Sequence, residues 1–209
     1  GFWLLNQKVN KIQRLLFYFL ILFLPTQLGL HFWPDFAFIK GVRVDYLSPT
    51  LYVTDILIFL LFIWLVTKSQ ISNLKFQIIS KYLNSKFKII IFALCLIVGI
   101  SMSKSPQAGI FGSIKLLEFV FLGIYTAHNV NKLKFQNILL LFSTGIVFES
   151  VLAISQYINH GSLQGIFYFF GERFFTSQTP GIANATLGGE LILRPYGTFP
   201  HPNVLAGYL

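Results

Sequence analysis

The pattern of hydrophobic and polar positions divides the chain into long apolar runs separated by short polar segments. Five runs carry almost no charge and are 15 to 23 residues long: residues 15–33, 46–67, 89–103, 110–127 and 136–158. A helix of roughly 20 apolar residues crosses the hydrocarbon core of a bilayer, which is about 30 Å thick. A sixth apolar run begins at residue 201 and continues to Leu209, the last residue. The pattern therefore predicts five transmembrane helices and the start of a sixth.

These runs predict an all-α polytopic membrane protein that forms a single transmembrane domain over residues 1–209. The only long segment between runs is 159–200, which we expect to be an outer loop rich in turn residues. Gly1 is not an initiator methionine, and Leu209 lies inside an apolar segment. We therefore expect a fragment of a longer protein, truncated at its C-terminus and inactive by itself.

Composition agrees with this interpretation. The chain is 55% hydrophobic and only 11% charged, whereas soluble domains contain about 25% charged residues. The net charge of +9 could indicate a nucleic-acid-binding protein, but the basic residues are not distributed as one patch. A lipid bilayer is the predicted partner, and nucleic acid is not.

The basic residues lie mainly in alternate segments between the runs. The segment before the first run, that between the second and third, and that between the fourth and fifth hold 10 of the 16 basic residues and none of the seven acids. Lysine and arginine accumulate on the cytoplasmic side of membrane proteins. The distribution predicts a multi-pass protein of a bacterial inner membrane with a cytoplasmic N-terminus, whose chain re-enters the membrane from outside at its end.

Polar side chains within the predicted spans fall in their outer halves. Asp55, Glu118 and Glu149 lie inside spans, and Arg194 lies just outside the last one. Ionisable groups in a membrane are costly and often functional, so the pattern favours a polar cleft that opens outward. Structural alternatives remain for each: Glu118 can pair with Lys115, Asp55 can cap a helix, and Glu149 can form a hydrogen bond between helices.

Several chemistries have no motif in this sequence. It contains no P-loop, dinucleotide-binding turn, zinc-protease motif or nucleophile elbow. No Asp-x-Asp pair is present to hold a metal on a nucleotide sugar, and the single cysteine, Cys95, cannot form a zinc or disulfide framework. We predict no cofactor and no metal, so a transferase of this kind would use a donor already activated in the membrane.

The C-terminal sequence RPYGTFPHPNVLAGYL, residues 194–209, resembles the Arg-x-x-Gly-Thr-Phe and Pro-Asn motif of the O-antigen ligase and O-antigen polymerase family. The upstream sequences ERFFTSQTPGIA and FESVLAISQY are also similar to that family. The resemblance implies an inverting membrane glycosyltransferase that takes a glycan from an undecaprenyl-diphosphate-linked donor on the outer face of the inner membrane. The acceptor would be a sugar hydroxyl on lipid A-core or on another glycan, and neither metal nor nucleotide would be needed.

The resemblance also implies roles for particular residues. Arg194 matches the arginine of the family motif and is expected to contact the diphosphate, since its planar fork suits phosphate. Asn203 matches the motif asparagine near a helix start, a favourable position for an anion. Together with Glu149, Asp55 and Glu118, these form the predicted substrate-binding set. The family's catalytic histidine lies beyond this motif, which leaves His201 as a weak candidate base.

Two further classes of function stay open from the sequence. A transporter or flippase for lipid-linked glycans would use the polar side chains as a pathway and would need them in the cytoplasmic half of the spans too. A non-catalytic membrane scaffold is the third possibility. Neither the choice between ligase and polymerase nor the identity of the glycan follows from the residues.

Overall fold

The computed structural model of the chain describes residues 11–44, 47–67 and 86–209. Within these ranges the chain forms six α-helices: α1 (Lys11–Leu22), α2 (Val53–Thr67), α3 (Lys86–Ser101), α4 (Pro106–Asn129), α5 (Phe135–Asn159) and α6 (Pro202–Tyr208). It also forms six short strands: β1 (Gly29–His31), β2 (Phe38–Ile39), β3 (Val42–Arg43), β4 (Thr50–Tyr52), β5 (Asn184–Leu187) and β6 (Glu190–Leu193). Three 3-10 helices cover Asp35–Ala37, Val130–Lys132 and Gly165–Phe170. The strands pair as β1 with β4, β2 with β3 and β5 with β6.

The described residues form two compact units. Unit 1 contains the described residues up to Leu30, then Tyr52–Leu57 and Val130–Leu209, and unit 2 contains those within His31–Leu51 and Ile58–Asn129. The single transmembrane domain expected for residues 1–209 stays a prediction. Lys8 and the lysines at 68, 75 and 81, on which much of the charge pattern depends, lie outside the described residues.

Unit 1 is built on α5. Helix α1 packs against it, and the backbone N–H of Lys134 donates to the Tyr18 hydroxyl at 3.2 Å. Strands β5 and β6 form an antiparallel hairpin in which Asn184 lies opposite Leu193. A small buried core contains Leu193 of the hairpin together with Phe175 and Tyr196. The chain after α5 is therefore folded back onto α5 by both apolar and polar contacts.

Unit 2 combines α3, α4 and the part of α2 from Ile58 onward with a small hairpin. Helix α3 packs against α4, and the Phe62 ring meets the Phe121 ring edge-on at 5.4 Å. Strands β2 and β3 are antiparallel, with Phe38 opposite Arg43. The two residues between them, Lys40 and Gly41, both have positive φ, as a two-residue hairpin turn requires.

The prediction of an all-α protein with five transmembrane helices is wrong. Among the described residues only two helices are long and apolar enough to cross a membrane, Pro106–Ala127 and Phe135–Asn159. The other predicted spans correspond to shorter helices, and three strand pairs are present where an all-α fold has none. The apolar runs located helical sequence, but they overestimated how far the first two helices extend.

The first predicted span, residues 15–33, shows why. Helix α1 ends at Leu22, three residues before Pro25, whose ring removes a backbone donor and clashes with the preceding turn. The Thr26 hydroxyl then donates to Phe23 O at 2.6 Å and closes a turn. Downstream, residues 29–31 pair as strand β1. The second predicted span is shortened in the same way, because β4 occupies residues 50–52 before α2 begins.

Helices α4 and α5 differ from the core helices of soluble proteins in their surroundings. Only 6% of the apolar window of α4 and 22% of that of α5 is buried. Large side chains such as Phe119, Leu140 and Val147 are more than three-fifths exposed. Contiguous apolar surface of this extent marks an interaction with a membrane or another protein.

Candidate functional site

Two buried polar side chains stand on one face of α5. Glu149 and Gln156 are seven residues apart, which is close to two helical turns, so they project from the same side. Both are fully buried, as are Glu172 and Thr198 nearby. We call Glu149, Gln156, Glu172 and the turn at residues 196–199 the polar scaffold. It joins α5 to the sequence that carries Arg194.

Gln156 uses its whole hydrogen-bonding capacity on this turn. Its Oε1 accepts from the backbone N–H groups of Tyr196 at 3.0 Å and of Gly197 at 2.8 Å. Its Nε2 donates to Gly197 O at 2.9 Å and to Glu172 Oε1 at 2.8 Å. An amide offers two donors and an acceptor oxygen with two lone pairs. The Gln156 side chain therefore bonds the backbone groups of a turn that lies outside any helix or strand.

Glu172 extends the scaffold to the segment that follows α5. Its Oε1 also accepts from Leu163 N at 2.8 Å, and its Oε2 accepts from Gln164 N at 2.5 Å. The carboxylate thus holds two consecutive backbone donors together with the Gln156 amide. The sequence analysis missed this role, since Glu172 lies in the segment 159–200 that was expected to be an outer loop.

Glu149 holds the other side of the turn. Its Oε2 accepts from Thr198 N at 3.1 Å, and its Oε1 lies 2.7 Å from Thr198 Oγ1. That hydroxyl also lies 2.5 Å from Pro25 O, yet it carries one proton and can donate fully to only one acceptor. A protonated Glu149 carboxyl would supply the missing proton through Oε1. The neutral form also avoids burying a charge without a cation.

Gly197 is required by the same geometry. Its φ is +58°, which L side chains rarely adopt. A Cβ at this position would overlap Glu149 Oε2 and would lie 3.1 Å from Leu205 Cδ1. The glycine of the sequence RPYGTF is therefore the residue that lets the turn approach α5.

Arg194 stands at the edge of the scaffold. Its backbone N–H donates to Ala183 O at 3.1 Å, where β6 ends. Its Nη2 donates to Asn203 Oδ1 at 2.6 Å. No carboxylate in the described ranges lies within ion-pairing distance of this guanidinium. Arg194 and Asn203, two of the predicted substrate-binding residues, are thus in direct contact, and the guanidinium keeps donors for an anion.

His201 acts as the N-cap of α6 in this structure. Its Nδ1 accepts from Asn203 N at 3.1 Å, and its ring meets that of Tyr196 at 6.3 Å between centroids. With Nδ1 accepting, a neutral imidazole carries its proton on Nε2. The role of His201 as a base stays a prediction.

The remaining predicted site residues are not joined to Arg194. Asp55 is the third residue of α2, and its Oδ2 accepts from Tyr52 N at 2.7 Å, as in one half of a capping box. Glu118 belongs to unit 2, where it lies 3.5 Å from Lys115 Nζ. Lys115 and Glu118 line an open groove of about 250 Å³ in unit 2, together with Phe32, Pro49, Thr50, Leu51, Phe111 and Ile114.

No match was found among known protein families, curated proteins or solved structures. The resemblance to the O-antigen ligase and polymerase family stays a prediction. Within the described ranges, no group of three or more His, Cys, Asp and Glu side chains could hold a metal ion. The site is accordingly described by its own geometry, an arginine presented on a buried polar scaffold.

Proposed function

We propose that the chain is part of a membrane glycosyltransferase of the O-antigen ligase type. It would transfer a glycan from an undecaprenyl-diphosphate-linked donor to a sugar acceptor, on lipid A-core or on another glycan, at the outer face of a bacterial inner membrane. The observation that carries the proposal is the presentation of Arg194 and Asn203 on the polar scaffold.

A diphosphate fits the chemistry of this pair. Arginine binds phosphate through parallel hydrogen bonds from a rigid fork, and Asn203 leaves its amide N–H₂ group as a further donor while its Oδ1 holds Arg194 Nη2. The backbone that supports Arg194 is fixed by Gln156 and Glu149 before any ligand binds. Binding then requires little ordering of the protein, which favours affinity.

A lipid-linked donor also fits the apolar surface beside the scaffold. The polar scaffold lies against α5, whose apolar surface is largely exposed and long enough to cross a bilayer. A donor with an isoprenoid tail would keep its tail in lipid while its diphosphate reached Arg194. The bilayer and the inner membrane are therefore the proposed partner and location.

The reaction follows from the bonds that change. The acceptor hydroxyl oxygen forms a bond to the anomeric carbon of the donor, and the bond between that carbon and the diphosphate oxygen breaks. Negative charge accumulates on the diphosphate, where a guanidinium stabilises it most in the transition state. The hydroxyl proton passes to a general base, for which His201 is the predicted but weak candidate because its Nδ1 caps α6.

The transporter alternative has less support. A pathway for a polar headgroup needs polar groups along the whole length of the spans. In α5 the buried residues are Gly145, Glu149, Leu152, Ala153 and Gln156. The two polar ones lie in the C-terminal half of the helix and bind backbone groups of the same chain, so they do not line a path.

Replacing Arg194 with alanine tests the proposal. Loss of charge-assisted hydrogen bonds costs about 1.5–3 kcal/mol, which weakens binding about 10- to 150-fold. We expect this loss when undecaprenyl diphosphate is titrated into the purified protein in detergent. Arg194→Lys should recover part of the affinity, because it restores the charge without the fork.

Arg43→Ala is the matched control, since it removes one exposed arginine from the other unit. It should bind undecaprenyl diphosphate as the unmodified protein does. Equal weakening in both variants would indicate bulk electrostatics, and unchanged affinity in Arg194→Ala would refute the site.

A further inference from the structure

The 3-10 helix Gly165–Phe170 lies beside the middle of α5. The Phe148 ring contacts the Phe167 ring at 6.3 Å and the Phe170 ring at 5.2 Å between centroids. Phe148 is eleven residues before Asn159, where α5 ends, or about 16 Å along the helix axis. The chain therefore leaves α5 at its C-terminal end and returns along it to half its length.

This returning segment is fixed at its far end. Gln27 N donates to Phe170 O at 3.3 Å. Gly171 has a φ of +97°, and a Cβ there would lie 2.5 Å from the carbonyl carbon of Gln27. Glu172 then enters the polar scaffold. The position of the 3-10 helix beside α5 is thus set by backbone contacts as well as by its rings.

The opposite side of the 3-10 helix is apolar and unprotected. Ile166 is 67% exposed, Tyr168 is 58% exposed and Phe169 is 68% exposed. The six residues Gly165–Phe170 contain no charged side chain. On α5, Val147 precedes Phe148 and is 62% exposed, so apolar side chains are exposed on both elements at this level.

Backbone polar groups of this segment are bonded within the protein. Phe167 N donates to Gln164 O, Gly171 N to Tyr168 O and Glu172 N to Phe167 O. At its start, the N–H groups of Leu163 and Gln164 are bonded to the Glu172 carboxylate. Non-helical backbone is tolerated at membrane depth only where its polar groups are satisfied by protein or water. The backbone groups named here meet that condition.

We propose that residues 165–170 form a re-entrant segment whose exposed side, made of Ile166, Tyr168 and Phe169, contacts lipid acyl chains below the headgroup region. The inference rests on the membrane location in the proposed function. An aromatic belt at the interface would be nearer the end of α5, whereas Phe148 lies near the midpoint of a helix about 37 Å long. The partner of this surface is therefore the hydrocarbon of the bilayer.

Spin labels at single cysteines test the depth of the segment. In a Cys95→Ser background, a nitroxide is placed by Phe169→Cys, by Val147→Cys on α5 or by Glu190→Cys on the β5–β6 hairpin. Each protein is reconstituted into phosphatidylethanolamine and phosphatidylglycerol vesicles, and power saturation is measured with oxygen and with a polar nickel chelate. At position 169 we expect nickel accessibility on the order of tenfold lower than at 190, because polar solutes partition poorly into hydrocarbon.

The labels at position 147 on α5 and at position 190 on the hairpin serve as references for the label at position 169. Oxygen-rich, nickel-poor accessibility at 169, matching that at 147, supports the re-entrant segment. Nickel accessibility at 169 equal to that at 190, with 147 deep, overturns it and leaves the proposed function intact. An aqueous signal at 147 as well would remove α5 from the membrane, and both proposals would fail. Ile166→Cys repeats the measurement where Phe169→Cys folds poorly.

Discussion

Replacing Gln156 with leucine is expected to lower the free energy of unfolding by about 3–5 kcal/mol. Leucine has a similar volume but cannot bond to Tyr196 N, Gly197 N or Gly197 O, so these buried groups lose the partner that the structure gives them. Each buried backbone group left without a partner costs about 1–3 kcal/mol. For a chain of this size the midpoint of thermal unfolding should fall on the order of 10 °C, measured in detergent by circular dichroism.

Gln136→Leu supplies the matched control on the same helix. Gln136 is exposed in the first turn of α5, and surface substitutions usually change stability by less than about 0.5 kcal/mol. The comparison separates the loss of the hydrogen bonds from any general effect of leucine on α5. Equal midpoints for the two variants would show that the turn at residues 196–199 does not depend on Gln156.

The apolar runs located the helices of this chain better than they set their lengths. Helices α4 and α5 overlap the predicted spans at 110–127 and 136–158 because neither has a proline or a strand-forming interruption after its first residue. The span predicted at residues 15–33 is wrong because hydropathy does not register the helix-terminating effect of Pro25. Hydropathy also gives no signal for the pairing of residues 29–31 with strand β4.

The sequence indicated the residues of the candidate site that lie close together along the chain and missed the contacts between residues that lie far apart. Arg194 and Asn203 are nine residues apart and were both assigned to the substrate from one short motif. The scaffold beneath them joins Gln156 to Gly197 and Glu149 to Thr198, across 41 and 49 residues. Such pairings leave no periodic signal along the chain. The seven-residue spacing of Glu149 and Gln156 was the available clue, since it places both on one helix face.

Glu149 is a predicted substrate-binding residue whose hydrogen-bond partners the sequence did not specify, and its role in substrate binding stays a prediction. A carboxylate inside an apolar run indicated a functional group, and Glu149 was assigned to substrate. In the structure both of its oxygens face Thr198, and the side chain is fully buried. Its contribution is therefore to the support of Arg194.

Two replacements of Glu149 should consequently distinguish the contribution of its shape and hydrogen bonds from that of a negative charge. Alanine would leave Thr198 N without a partner and open a cavity beside Gly197, at a cost of about 3 kcal/mol. Glutamine should cost less than about 1 kcal/mol. Its amide N–H₂ can donate to Thr198 Oγ1 while its oxygen accepts from Thr198 N, which reproduces the two contacts of a protonated carboxyl. Thermal midpoints of both variants in detergent measure the difference.

The opposite ranking would mean that the carboxyl is ionised. A charged Glu149 would have to accept both hydrogen bonds, and an amide in its place would direct a donor at Thr198 while the hydroxyl proton also points there. Glutamine would then cost as much as alanine, because removing one partner of a buried charged hydrogen bond is expensive. Near-native stability of Glu149→Gln would therefore support a protonated Glu149, with the Thr198 hydroxyl donating its proton to Pro25 O.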